Sequence, residues 1–322
     1  MDFIFFTESA SILVLALVID AVFGEPPDRF HPTVWMGNVI AFLKLRIRNE
    51  NPKIEKMNGI LLCIAVAALF ATPVSLIVFC TRFFFGPIPY IIVSAVLLKL
   101  TVAWKCMSYY TLPIAKALSL GKVNCAKSWL HFIVRRDPTT LNERLVVSAT
   151  VESIAESTTD GVTSPLFFFA LFGMPGAIVF RVVSTLDSMV GYRDTSNANI
   201  GWFSAKADTT MNYLPSRLTG ALMVLAALIL GEGWRDSWRI MLRDRRKMTS
   251  INAGLTIGAM AGALGILLEK VGFYSIGDEG TPKPEHIRRA LRVMSLTVIL
   301  FSLCIVASIL LLWALLFGIV GS

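Results

Sequence analysis

The sequence predicts an all-α fold: a polytopic integral membrane protein with about four clear spanning helices, plus re-entrant or half-inserted helices around a cytoplasm-facing site. Three observations lead there. Of 322 residues, 55% are hydrophobic and only 16% charged, with a mean hydropathy of +0.67, a balance outside that of soluble globular domains. Apolar runs of about 20 residues recur, each long enough to cross a hydrocarbon core as a helix. Lys and Arg collect in 29–56, 105–144, 235–247 and 270–292, which the positive-inside rule assigns to the cytoplasm. The residue alternation of membrane barrel strands is absent. Basic loops also account for the net charge of +8; anionic substrates are compatible with it, whereas no nucleic-acid motif occurs.

The first span is 3–23. Asp2 and Glu8 stand where a secretory signal carries basic residues, so this segment is expected to be retained. Next come 58–79 and 87–104, a pair of spans joined by a loop holding only Arg82. The segment 165–186 is apolar but broken near its centre by Gly173, Pro175 and Gly176, which predicts a re-entrant hairpin, with an ordinary kinked span as the alternative. Two further apolar stretches, 218–231 and 253–268, reach roughly 20 to 25 Å as helices, short of a core of roughly 30 Å. If the first of them crossed, the Arg-rich loop "RDSWRIMLRDRRK" would lie outside, against the charge rule. Half-inserted or protein-enclosed helices fit better. The last span is 293–320, and one membrane domain covers 1–322. This topology puts the N-terminus outside, 23–57 and 105–160 in the cytoplasm, and Asp187 back on that same side. Cys63, Cys80, Cys106, Cys125 and Cys304 are scattered singly, as packing residues are, rather than paired as metal ligands or disulfides.

Candidate chemistry gathers around the broken segment. Glu152, Glu156 and Asp160 recur at every fourth position, so a helix stacks their carboxylates along one face. Like charges at that spacing repel, and a divalent cation or cationic partner offsets the repulsion; a solvated acidic face is the plainer alternative. Beyond the hairpin stand Asp187, Tyr192, Arg193 and Asp194, and "KADTTMNYLPSRL" adds Lys206, Asp208, Asn212 and Arg217. Mg²⁺ takes hard oxygen ligands, commonly one or two carboxylates plus substrate phosphates, so Asp160, Asp187 and Asp208 suit the metal. Arg193, Lys206 and Arg217 suit phosphate oxygens, although each base alone is equally an interfacial anchor. Near the N-terminus a Gly/Pro-rich loop holds Asp20, Glu25 and His31; taken singly, His31 reads as a satisfied interfacial histidine. In "SINAGLTIGAMAGALG", Gly254, Gly258 and Gly262 allow close helix packing, and Asn252 caps that helix or touches substrate. No Walker loop, dinucleotide fingerprint or HExxH pair occurs.

Several of these stretches, in order, carry a resemblance. "DAVFGEPPDRFHPTVWMG" holds Asp20, Gly24, Pro26, His31, Pro32 and Gly37; "RRDPTTL" holds Arg136 and Asp137; "VESIAESTTDGVTSPL" holds Glu152, Glu156, Asp160, Gly161 and Pro165. "STLDSMVGYRD", "ADTTMNYLPSRLT" and "SINAGLTIGAMAGALG" follow. The sequence thereby resembles the adenosylcobinamide-phosphate synthases of cobalamin biosynthesis, the CobD/CbiB family, over most of its length. The resemblance implies an enzyme of the cell (inner) membrane that joins the propionate carboxylate of adenosylcobyric acid, a corrinoid, to aminopropanol phosphate or a related amino alcohol phosphate. ATP and Mg²⁺ are implied with it, because a carboxylate is a poor acyl donor until phosphorylation gives it a leaving group. On this reading Glu152, Glu156, Asp160, Asp187 and Asp208 are catalytic, the last three holding the metal. Asp20, His31, Arg136, Tyr192, Arg193, Lys206, Asn212, Arg217 and Asn252 bind substrate. Membrane lipid surrounds the chain, and its protein partners are a second copy of itself or other cobalamin-assembly membrane enzymes.

The sequence departs from the family pattern at Ser157, where Asn is common, at Thr209, where a second Asp is common, and at Ile251, where Pro is usual. Leu255, Thr256 and Ile257 replace a Trp-Pro-Glu-like run. Two other readings follow: a catalytically diverged relative that binds a corrinoid or anionic ligand, and a transporter whose broken hairpin lines a path and whose acids bind a coupling cation.

Overall fold

The computed structural model describes residues 3–191 and 197–318, with side chains over 7–191 and 197–311. The chain runs through α1 (Phe3–Phe23), α2 (Pro32–Ile47), α3 (Pro52–Phe85), α4 (Pro87–Lys99), α5 (Trp104–Ser119), α6 (Val123–Leu130) and α7 (Glu143–Ser157). A π-helical turn, Thr158–Thr163, leads into α8 (Ser164–Val190), then α9 (Trp202–Met211), α10 (Tyr213–Ile229), α11 (Trp234–Asp244) and α12 (Ile251–Leu264). A hairpin of β1 (Leu268–Lys270) and β2 (Tyr274–Ile276) precedes α13 (Pro284–Gly318). Proline opens α2, α3 and α4, where a missing N–H costs nothing. Side chains of His31, Asn51, Asn142 and Ser250 accept backbone N–H bonds at the starts of α2, α3, α7 and α12.

Four helical stretches are long and apolar enough to cross a membrane: Pro52–Phe85, Pro87–Ser119, Glu143–Val190 and Pro284–Leu311. Together with α1, whose 21 residues reach about 32 Å, they make an all-α multi-pass membrane protein. The chain divides into two compact units, each assembled from separate stretches of sequence.

The first unit comprises 1–102, 164–212 and 304–322. Here α1 packs on α4, α3 on α4 and α8, α2 on α8, and α9 on both α3 and α8. At the middle of α8 Gly173 has φ 65° and ψ −156°, a backbone that a residue with Cβ rarely adopts. The two arms fold back on each other there. Phe168 and Phe180 stack at 5.4 Å between ring centres, whereas 12 residues of straight helix would separate them by about 18 Å. A Cβ on Gly176 would lie 2.4 Å from the Phe168 carbonyl oxygen. The hairpin read from Gly173, Pro175 and Gly176 is therefore present as a helical reversal, with Leu171 and Phe172 exposed at its tip.

The second unit comprises 103–163 and 213–303. Its centre is α12, buried along its whole length after Ile251 and packed against α7, α10 and α11, so this short helix is enclosed by protein as its length predicts. The glycine stripe explains how closely α11 approaches. Cβ atoms at Gly254 and Gly262 would lie 2.4 and 2.3 Å from the carbonyl oxygens of Arg245 and Asp236, and one at Gly258 would lie 3.0 Å from the Met241 Cα. One sequence expectation needs correction. The segment expected as an Arg-rich loop is the helix α11: Ser237, Ile240, Met241 and Asp244 are buried and the rest of the helix is more exposed. Its apolar residues are too few to mark a helix by hydropathy, but their spacing puts them on one face.

Candidate active site

In the first unit, the end of α1, the loop after it and the end of α4 bring Asp20, Glu25, His31 and Lys99 together. Lys99 Nζ donates to Glu25 Oε2 at 2.8 Å and lies 3.6 Å from Asp20 Oδ1. Both Asp20 and Lys99 are buried. His31 Nδ1 accepts the Thr33 N–H at 3.2 Å, so the ring proton sits on Nε2, which donates to Glu25 Oε2 at 3.1 Å. Burial pushes the Glu25 carboxyl up, but the bonds from His31 and Lys99 outweigh it and hold it below its ordinary value. Asp20 and His31, both nominated from sequence, thus belong to one network. Its cation, Lys99, escaped sequence reading because it stands in an apolar span; a lone Lys there is the signal that would have found it.

A second chain of contacts in this unit runs from α8 to α9. Ser164 Oγ donates to Asn212 Oδ1 at 2.6 Å, and Asn212 Nδ2 donates to Asp208 Oδ2 at 3.1 Å. Asn212 is buried and Asp208 half-buried, so a fixed amide orients a carboxylate that solvent still reaches. Asp187, near the end of α8, is also half-buried, and its Oδ1 fills the place where a Cβ of Gly191 would stand, 2.0 Å away. The helices bearing Asp187 and Asp208 pack together. Lys206 is exposed on α9, two positions from Asp208, a spacing that points side chains to different faces. Tyr192 and Arg193 lie outside the described residues.

In the second unit Glu152 is buried and receives three donors: Ser148 Oγ at 2.8 Å, Tyr274 Oη at 3.0 Å and Arg136 Nη2 at 3.3 Å. Burial and the adjacent Glu152 charge push the Tyr274 phenol well up. Glu156, one turn on, is exposed, and Asp160 is half-buried in the π turn. The expected stack of acids along one α-helical face is therefore not continuous: α7 ends at Ser157, and the wider turn changes the register before Asp160. Elsewhere in the unit, Arg217 lies over the Tyr213 ring at 3.4 Å and points Nη1 at Asn252 Oδ1, 3.3 Å away. Ser216 Oγ donates to the same oxygen at 3.2 Å. Arg217, half-exposed, and Asn252 are thus brought together at the first turn of α12.

Among the described residues, no group of three His, Cys, Asp or Glu could hold a metal ion. Asp187 and Asp208, half-buried on helices of the first unit that pack together, are hard oxygen donors of the kind Mg²⁺ takes beside water and substrate phosphate; Asp160 belongs to the second unit.

Comparison with known proteins gives a consistent result. Residues 13–294 match the CobD/Cbib protein family. A probable cobalamin biosynthesis protein CobD of Methanothermobacter thermautotrophicus is 43% identical over 295 residues, 91% of this chain and 95% of the relative. The cobalamin biosynthesis protein CobD of Dehalococcoides mccartyi is 42% identical over 272 residues, 84% and 87% of the two chains. A probable CobD of Thermoplasma volcanium is 39% identical over 283 residues, 88% and 91%. No solved structure matches. With its motifs in order and its matches spanning most of its length, the chain belongs to the CobD/CbiB family of cobalamin biosynthesis proteins.

Proposed function

We propose that this protein is an adenosylcobinamide-phosphate synthase acting as one catalytic domain in the cell membrane, with its site open to the cytoplasm. The observation that carries the reading is the Ser164–Asn212–Asp208 chain, in which a buried amide aims a solvent-reachable carboxylate. In the reaction, an oxygen of the adenosylcobyric acid propionate attacks the γ-phosphorus of ATP and ADP leaves. The amine of aminopropanol phosphate, or a related amino alcohol phosphate, then attacks the acyl carbon. The C–O bond to phosphate breaks, and the amine gives up a proton. Asp187 and Asp208 would hold Mg²⁺ together with phosphate oxygens, the ion supplying charge neutralisation during phosphoryl transfer, and Asp160 is a further catalytic acid. Arg217, stacked on Tyr213 and steadied by Asn252, binds a phosphate by its open edge. Arg193 and Lys206 serve the phosphates as well. Glu156 is reachable as a proton acceptor, whereas Glu152, enclosed by its three donors, positions α7 and Arg136.

The test is direct. Detergent-purified protein is mixed with adenosylcobyric acid, aminopropanol phosphate, ATP and Mg²⁺, and the amide product is sought by mass spectrometry. Product that requires both ATP and Mg²⁺ is expected. Folded protein that repeatedly yields none would reject the assignment and favour transport or a diverged relative.

A further inference from the structure

Outside these clusters, the second unit carries a cavity of about 1230 Å³ beside the first turns of α13, and none of the residues discussed above lines it. Its lining includes Lys283, Arg288 and Arg292 and, further along α13, the apolar Leu296 and Ile299, with Leu112 of α5. No salt bridge forms at Lys283 or Arg288 among the described residues, and Arg292 only reaches 4.0 Å from Glu232. Glu232 is already taken, because Arg289 donates to both its oxygens, with Nε at 3.0 and 3.1 Å. Glu143 and Glu285 share the lining. Arg289 also lines the cavity and is neutralised by Glu232, so Lys283, Arg288 and Arg292 against Glu143 and Glu285 leave an excess of one positive charge.

Position decides what such a cavity holds. Along α13 the sequence changes from "PEHIRRALR" to the apolar run that begins at Val293, inside a segment able to span a membrane. Arg292 and Ile299 are seven positions apart, about 10 Å along the helix. The charged end therefore stands at headgroup level, and the apolar wall extends into the upper hydrocarbon region. A nucleotide or phosphate monoester brings more than one negative charge and no chain to cover Leu296 and Ile299. A phosphodiester with acyl chains matches both the single excess charge and the wall. We propose that this cavity binds one anionic phospholipid, its phosphate held by Lys283, Arg288 and Arg292 and its chains laid along Leu112, Leu296 and Ile299.

Native mass spectrometry of the delipidated full-length protein tests this, using phosphatidylglycerol and phosphatidylcholine with the same acyl chains. Wild-type protein is expected to retain phosphatidylglycerol in preference. Each cation near a membrane surface is worth roughly fivefold, so K283Q/R288Q/R292Q should weaken phosphatidylglycerol retention on the order of a hundredfold and leave phosphatidylcholine unchanged. Leu296→Trp, which narrows the apolar wall but keeps every charge, should also weaken it, and provides the test if the triple variant does not fold. Glycerol 3-phosphate separates a lipid from a soluble phosphate, and should not displace the lipid at equal concentration. Equal retention of the two lipids, full retention by the folded variants, or ready displacement by glycerol 3-phosphate would each overturn the proposal.

Discussion

Glu152 and Asp208 are both acids in ordered family motifs, yet the two units treat them differently. Glu152 is buried and closed in by Ser148, Tyr274 and Arg136, drawn from three separate parts of the chain. Asp208 is half-buried and has one oxygen fixed by Asn212, itself fixed by Ser164. A carboxylate that spends its acceptor sites on protein donors holds structure together. One that is oriented by a buried amide and still half-exposed is arranged to meet a ligand. The same contrast separates two arginines: Arg243 makes paired bonds to buried Asp244 at 2.7 and 2.8 Å, whereas Arg217 rests on the Tyr213 ring, directs Nη1 to neutral oxygens and has no carboxylate partner among the described residues.

The largest effect that sharpens this contrast is expected at Asp208. Asp208→Asn keeps the shape and the Asn212 contact but removes the charge, and should lower turnover about a hundredfold or more with little change in thermal stability. Asp208→Asn turning over like the wild type at limiting Mg²⁺ would break the comparison. Glu152→Ala should act the other way. It strands the Tyr274 hydroxyl and the Arg136 guanidinium, while Ser148 Oγ keeps its contacts to the Glu269 backbone, costing about 1–3 kcal/mol of stability, readable as a shifted denaturation midpoint in detergent. Arg217→Gln comes next. Gln cannot reproduce a guanidinium edge, so the KM for amino alcohol phosphate or ATP should rise about tenfold while corrinoid affinity holds; equal weakening of all substrates would place Arg217 elsewhere.

The smallest effect is a pH slope. Burial opposes ionisation of Asp244, but Arg243, the Gly277 N–H and Lys247 outweigh it and hold the carboxyl well below the usual carboxylate range. Its folded pKa is below the unfolded value of about 3.9, so its contribution is fully present above that pH and is lost as pH falls through the folded value. Asp244→Asn should therefore lose stability less steeply than wild type below about pH 4 in equilibrium unfolding. Identical slopes would show that the network does not depend on that charge.

How much of this the sequence reveals depends on the range of the interaction. The reversal at Gly173 and the close packing at Gly254, Gly258 and Gly262 are local, because a helix breaker or a missing Cβ carries its meaning wherever it stands. The helix α11 was obscured because its charged face outweighs its apolar one in any average. Which residues pair across long stretches of chain is not legible: Tyr274 is 122 positions from Glu152, and Lys99, though conspicuous as a lone Lys in an apolar span, is 74 from Glu25. Motif reading therefore selects Glu152 and Asp208 alike, since it registers residue type and order but not whether a buried donor has already claimed the oxygen.

That distinction is also what one measurement tests most directly: turnover per folded molecule for Glu152→Gln and Asp208→Asn, assayed side by side with saturating substrates and the folded fraction determined by gel filtration. With stability factored out, Glu152→Gln is predicted to stay within about threefold of wild type, and Asp208→Asn to remain about a hundredfold or more below it. Equal losses in the two variants, or the greater loss in Glu152→Gln, would contradict the division between an acid that holds the fold and an acid that meets the substrate.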